Sequence, residues 1–144
     1  MAVRAILTFI ALLSIYNAKY GESQYVDPVP FPPAPPTSAN VGAICSYGNY
    51  GPRYPDNSIP RSWSSHSRRR AAAINRLESG YQLCCNKTPV HTKLSCAYQA
   101  WMESLSQFCV EEFSTMTVAY HCCRVEDTVR WSCFYSSSRQ THGY

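Results

Sequence analysis

Two pairs of adjacent cysteines constrain this chain more than any other feature of its sequence. Each doublet is followed, after a short gap, by one further cysteine: Cys84-Cys85 by Cys96, and Cys122-Cys123 by Cys133. Consecutive Cα atoms of a trans chain lie about 3.8 Å apart, which is closer than a disulfide prefers. Each doublet is therefore expected to send two bridges in different directions, so that three segments of the chain meet at it.

The N-terminus has the pattern of a secretory signal. A short apolar run follows Arg4 and ends at Tyr16, and polar sequence comes after it. This run is shorter than the roughly 20 apolar residues that a membrane-spanning helix needs, and no later segment qualifies as a span. We place signal cleavage between Ala18 and Gln24, take residues 1–21 as the signal peptide, and expect the mature protein in the extracellular space.

The eight cysteines are an even set, and in an oxidising compartment such a set predicts disulfides. The spacing of metal-binding cysteines is different: the sequence has no C-x-x-C, and His121 beside Cys122 is a weak sign of zinc. We expect no metal and no cofactor. The formal charge of +4 permits contact with acidic glycans or proteins. Nucleic acid is excluded as a partner because the chain is predicted to be secreted and carries no nucleic-acid-binding motif.

Residues 22–40 are predicted to form an extended arm. This segment is dense in proline between Pro28 and Pro36, and proline removes backbone donors and fixes φ. Helix and central strand are thereby excluded, and a polyproline-like arm is expected. We interpret the arm as a semi-rigid spacer in preference to a ligand for a groove-type domain.

The rest of the chain, residues 41–136, is predicted to be a cysteine-rich helical module. Its first part, residues 41–65, has many turn residues and is expected to be an irregular loop docked by Trp63. A helix is predicted from Arg68 to Cys85, capped by Ser65 or Ser67 and weakened by about 1 kcal/mol by a glycine.

The clearest helix is predicted from Lys93 to Phe113, with an apolar seam around Trp101 that Glu112 interrupts. Residues 115–123 fit either a strand or a helix, and we favour a short helix that ends at the second doublet. One more short helix is expected over residues 127–135, with Asp127 as a cap. The polar residues 137–144 are expected to form a flexible tail, with fraying from Ser136.

The cysteines divide into two similar units, each with the order single, doublet, single. The units are Cys45, Cys84-Cys85 and Cys96, then Cys109, Cys122-Cys123 and Cys133. Within a unit one doublet member bonds backward along the chain and the other forward. This leaves two pairings open for each unit.

The doublet pattern resembles the double loops of serum albumin. More closely, the stretch from Phe31 to the C-terminus resembles a cysteine-rich module of the extracellular matrix protein 1 family. The pieces that carry the resemblance are FPPAPP, AICSYG, LESGYQLCC, LSCAYQAWMESLSQFCVEEFS and HCCRVEDTVRWSC. Full-length relatives of this kind have several such modules, whereas this chain carries one.

The resemblance implies a fold and a disulfide pairing. The fold is all-α, a small disulfide-stapled helical domain with albumin-like double loops and a proline-rich N-terminal arm. The albumin-like crossing implies the pairs Cys45–Cys85, Cys84–Cys96, Cys109–Cys123 and Cys122–Cys133.

The resemblance also implies a function, that of a secreted, non-enzymatic matrix glycoprotein. The implied partners are matrix proteins, proteoglycans and secreted proteases. Two alternatives stand beside this prediction: a small albumin-like carrier of apolar ligands, and a secreted signalling or host-defence domain.

No pattern of residues indicates an enzyme. The sequence has neither G-x-S-x-G nor H-E-x-x-H, and the paired acidic residues Glu111-Glu112 are expected to face solvent. None of the four histidines has an evident nucleophile beside it.

Two candidate sites of other kinds remain. Arg68-Arg69-Arg70 is a candidate patch for an acidic partner, and Asn86-Lys87-Thr88 is an N-glycosylation sequon with Asn86 as the acceptor.

Overall fold

The computed structural model describes residues 27–47 and 50–141, and these are helical without any strand. The helices are α1 (Val41–Tyr47), α2 (Ser65–Cys85), α3 (Val90–Phe113) and α4 (Asp127–Ser138), with 3₁₀ turns at Asp56–Ser58 and His121–Arg124. The all-α, disulfide-stapled fold class is confirmed. The predicted signal peptide lies outside the described residues.

Helices α2 and α3 form an antiparallel hairpin that carries most of the core. Contacts between them run in opposite directions along the chain: Ser104 Oγ donates to the carbonyl of Ala73 at 2.7 Å, and Gly80 lies against Ala100. Their facing sides bury large side chains at no more than 2% exposure, namely Ile74, Leu77 and Tyr81 on α2 and Trp101, Leu105 and Phe108 on α3. The predicted seam around Trp101 is confirmed as core.

Both long helices begin earlier than predicted and end at the predicted residues, Cys85 and Phe113. The α2 cap is Ser64, whose hydroxyl accepts from the backbone N–H of Ser67 at 3.1 Å, so neither serine proposed as the cap fills that position. Helix α3 begins at Val90, directly after Pro89 and three residues before the expected start. The N–H that proline lacks would have no partner at a helix N-terminus in any case. A proline at this position therefore does not delay the start of the helix.

Four disulfides connect the helices one after another. They are Cys45–Cys85, Cys84–Cys96, Cys109–Cys123 and Cys122–Cys133, which are the pairs that the albumin-like crossing implies. The first joins α1 to the end of α2, the second joins α2 to α3, the third joins α3 to the second 3₁₀ turn, and the fourth joins that turn to α4. Each doublet therefore sits where two helical elements are tied to a third.

The proline-rich segment is part of the core, so its interpretation as a spacer is wrong. Val29 is 1% exposed and Phe31 6%, and four prolines between residues 32 and 36 are buried. The Phe31 ring lies 4.5 Å from that of Phe108 and 5.4 Å from that of Tyr120 between centroids. The segment has no helix or strand, as proline dictates, but its apolar side chains pack against the hairpin.

Three further segments depart from the predictions. Residues 41–47 form helix α1 where a loop was expected, although Trp63 does pack onto the core as proposed. Residues 115–120 form neither helix nor strand, and the second doublet lies in the 3₁₀ turn His121–Arg124 where a short α-helix was expected. Helix α4 continues to Ser138, which is 4% exposed, and Thr141 donates to the carbonyl of Pro32. The described part of the tail is thus packed against the proline-rich segment, and fraying from Ser136 is wrong there.

Candidate functional site

The three consecutive arginines on α2 point to different surroundings. Successive residues of an α-helix are rotated by about 100°, so three in a row cannot share one face. Arg68 is exposed and donates from Nε to the carbonyl of Trp63 at 3.2 Å and from Nη2 to the carbonyl of Arg61. Arg69 and Arg70 instead face carboxylates from distant parts of the chain.

Arg69 forms an ion pair with Glu112, which is buried at 2% exposure. The second carboxylate oxygen, Oε2, accepts from the backbone N–H of Tyr120 at 2.8 Å. The neighbouring Glu111 pairs with Arg76 in the same way, one α2 arginine for each acid. The expectation that both acids face solvent is wrong for Glu112, whose charge is compensated inside the protein.

Arg70 ties the N-terminal segment to the core. Its Nη1 lies 2.7 Å from Oδ2 of Asp27, which also accepts from Ser67 Oγ at 3.2 Å. Its guanidinium lies 5.5 Å from the centroid of the Tyr120 ring and 5.8 Å from that of Phe31, both within cation–π range. Burial raises the pKa of the Tyr120 hydroxyl above its ordinary value, partly offset by a hydrogen bond with Ser137 and the charge of Arg70.

These contacts narrow the candidate patch for an acidic partner. Arg69 and Arg70 already hold carboxylates of the chain itself, so of the three arginines only Arg68 remains open. Arg61 and Arg68 line one surface hollow of about 640 Å³, whose other lining residues are Asp56, Asn57, Ile59, Ala72 and Asn75. We refer to this hollow as the basic hollow.

A second surface depression, which we call the aromatic groove, is lined by rings and prolines. Its volume is about 420 Å³, and its lining comprises Pro35, Pro36, Thr37, Tyr98, Trp101, Trp131, Ser132, Tyr135 and Ser136. The Tyr98 and Trp101 rings stack at 5.6 Å between centroids, and Trp131 lies 5.9 Å from Trp101. Tyr98 is 42% exposed and Tyr135 51%, so the groove presents aromatic faces to solvent.

The aromatic groove was missed in the sequence, although a signal for it exists. On a wheel of 3.6 residues per turn Tyr98 falls on the apolar seam of α3, whereas the structure leaves it at the edge of that seam. Tyr98 and Trp101 are three residues apart on α3, and Trp131 and Tyr135 are four apart on α4, so each pair shares a helix face. What the pattern does not reveal is that the two faces meet, because that depends on how α4 packs on α3.

His121 lies close to two sulfur atoms without forming a metal site of the usual kind. Its ring nitrogen and the sulfurs of Cys122 and Cys133 lie within 4.8 Å of one another. These sulfurs are bonded to each other, so they have no thiolate to offer a metal ion. The His121 Nε2 instead lies 3.1 Å from the hydroxyl of Ser137.

Asn86 is exposed at the end of α2. Its backbone N–H donates to the carbonyl of Cys84 as the helix cap, and residues 87–89 of the connection to α3 are exposed as well. A glycan on this side chain would meet no core packing. Its occupancy stays a prediction.

No helix in the described part of the chain combines the length and apolar character needed to cross a membrane.

Comparison with known proteins matches this chain to extracellular matrix protein 1. The family model for extracellular matrix protein 1 matches residues 18–144. Human extracellular matrix protein 1 is 36% identical over 112 residues, which cover 78% of this chain and 21% of the human protein. The mouse protein of the same name is 35% identical over 104 residues, which cover 72% of this chain and 19% of the mouse protein. The chain thus spans about a fifth of the length of these relatives. No solved structure matches it significantly.

Proposed function

Because the chain belongs to the extracellular matrix protein 1 family, we propose that it is a secreted, non-enzymatic matrix glycoprotein that acts by binding matrix proteins or proteoglycans. The observation that carries this proposal is the disulfide frame, which connects helices α1 to α4 in series. Such a frame persists outside the cell and holds a small surface in one shape. A preorganised surface loses less conformational entropy when a partner binds.

The absence of free thiols and the pairing of acidic groups support a binding role over catalysis. All eight cysteines are in disulfides, so none is available as a nucleophile. The two adjacent acids of α3, Glu111 and Glu112, are each held by an arginine of α2. A carboxylate held in this way is a poor general base.

The basic hollow is the part of the surface best suited to a sulfated glycan. Retention on a heparin column tests this, with the full chain secreted from mammalian cells. We expect Arg61→Ala/Arg68→Ala to elute at clearly lower salt than the wild type, because each lost arginine removes a charge-assisted contact. The matched control is Arg124→Ala/Arg139→Ala, which removes two exposed arginines elsewhere. Equal elution of the two variants would contradict a glycan site at the basic hollow.

Binding to matrix proteins is tested separately, by adding the secreted chain to matrix from which cells have been removed. Retention that resists heparitinase and is lost after protease treatment of the matrix supports protein partners. A chain that is not retained on intact matrix would overturn the proposed function.

The carrier alternative is less well supported. A carrier of apolar ligands needs a cavity that encloses most of the ligand. The aromatic groove is apolar, but it is bordered by half-exposed tyrosines and opens to solvent.

A further inference from the structure

Building on the proposed role in protein binding, we propose that the aromatic groove binds a proline-rich segment of a partner polypeptide in the polyproline II conformation. The inference names the ligand class of one surface on this chain, and it rests on the proposed function. This surface already holds prolines of the chain itself.

The chain's own proline-rich segment shows what this surface recognises. The indole Nε1 of Trp101 donates a hydrogen bond to the carbonyl of Pro33 at 3.0 Å, and the bond is buried. The following prolines, Pro35 and Pro36, form one side of the aromatic groove. An indole N–H paired with a proline carbonyl, beside aromatic faces, is the contact by which grooves of other proteins hold polyproline helices.

The open part of the groove offers the same chemistry without an internal ligand. Within the described part of the chain, no hydrogen bond engages Trp131 Nε1 or the hydroxyls of Tyr98 and Tyr135. A polyproline II chain has solvated carbonyls and, at proline, no N–H groups, so it requires donors and flat apolar faces. The groove supplies both.

The lining also argues against charged ligands. None of the nine residues that line the groove is charged. A sulfated glycan or an acidic peptide would have no counter-charge there, whereas a neutral proline-rich segment leaves no charge uncompensated. The volume of about 420 Å³ is near the lower end of the range of about 300–1000 Å³ for ligand pockets, which suits a few residues of one strand.

Titration of the full chain with a ten-residue oligoproline tests the proposal. Trp101 and Trp131 line the groove, so we expect a saturable change in tryptophan fluorescence, with a dissociation constant below about 1 mM confirmed by calorimetry. A ten-residue peptide of alternating glycine and serine is the control and should produce no saturable change. Absence of saturable oligoproline binding, or equal binding of the two peptides, would overturn the proposal.

Two variants in the groove and one control variant outside it locate the site. Tyr135→Ala should weaken oligoproline binding about tenfold or more, because it removes a ring face and a donor from the groove. Tyr50→Ala removes an even more exposed tyrosine, at 85%, which does not line the groove, and should leave the affinity within about twofold. Ser132→Arg places a bulky charge at an exposed lining position and should also abolish binding. Unchanged affinity in Tyr135→Ala or Ser132→Arg, with helical circular dichroism retained, would place any binding elsewhere.

The matrix experiment separates this inference from the proposed function. A chain that is retained on matrix but does not bind oligoproline keeps the proposed function and overturns the inference. A preference for a collagen-like triple helix over the single-stranded peptide would also overturn it, since a groove of this size admits one strand.

Discussion

At the scale of single residues, neighbouring arginines on α2 have opposite roles. Arg68 is exposed and donates only to main-chain carbonyls, whereas the side chain of Arg69 is 14% exposed and compensates the buried charge of Glu112. A buried charge whose partner is removed is strongly destabilising, because the remaining ion is neither solvated nor paired. The sequence RRR contains no sign of this difference.

We therefore expect Arg69→Ala to lower the free energy of unfolding by about 3 kcal/mol, and Arg68→Ala to lower it by less than about 1 kcal/mol. Denaturant unfolding followed by circular dichroism, with the disulfides intact, measures both. Adding Glu112→Gln to Arg69→Ala should recover part of the loss, because a neutral amide is less costly to bury than an unpaired carboxylate. Equal losses for the two arginine variants would show that the ion pair contributes nothing.

At the scale of elements, the close approach of α2 and α3 depends on a glycine. A Cβ added at Gly80 would lie 2.9 Å from the Cβ of Ala100, a short and rigid side chain. The glycine costs its helix about 1 kcal/mol relative to alanine, but it permits the contact that buries the facing seams.

Gly80→Ala is expected to destabilise the protein by about 1 kcal/mol, since overpacking outweighs the gain in helix propensity. Gly42→Ala on α1 is the matched control: nothing lies within 4 Å of its added Cβ, so only the propensity gain remains and stability should rise. Thermal unfolding of the two variants compares them directly. A rise in melting temperature for both would mean that the helices separate at little cost.

The proline-rich segment behaves as an element of the core. Phe31→Ala should lower the free energy of unfolding by about 3 kcal/mol, because it empties the space between Phe108 and Tyr120. Pro30→Ala, at the exposed neighbouring position, should change it by less than about 0.5 kcal/mol. If both variants kept wild-type stability, the segment would be a spacer after all.

The sequence predicted local structure better than long-range packing. The apolar period of 3.6 located α3 and identified Trp101 as core, because that signal lies within one helix. It could not show that Glu112 is buried, since the partner that makes this possible lies 43 residues away on another helix. In the same way, proline excludes helix and strand for residues 28–36, but says nothing about the aromatic surface on which they lie.

At the scale of the whole molecule, the disulfides connect successive elements of the described chain, and none of the helices α1 to α4 is held by packing alone. They join residues separated by 40, 12, 14 and 11 positions. In the chain-entropy model a bridge that closes about 15 residues contributes about 3 kcal/mol. Four bridges of this size contribute about as much as the whole net stability of a typical domain, which is about 5–15 kcal/mol. The fully reduced chain is therefore expected to lose most of its helical circular dichroism.

Ordinary peptide mapping cannot establish how the two cysteines of a doublet pair. Both pairings of the first unit link the same three peptides, because no protease separates Cys84 from Cys85. Partial reduction, with different alkylating reagents before and after full reduction, followed by fragmentation between the two residues in a mass spectrometer, distinguishes them. We expect Cys84 to carry the same label as Cys96, and Cys85 the same label as Cys45. The physical reason is direction: Cys84 faces the start of α3 across the short connection, at a Cα–Cα distance of 5.5 Å from Cys96. Joint labelling of Cys84 and Cys45 would require the end of α2 to rotate, and would contradict the crossing.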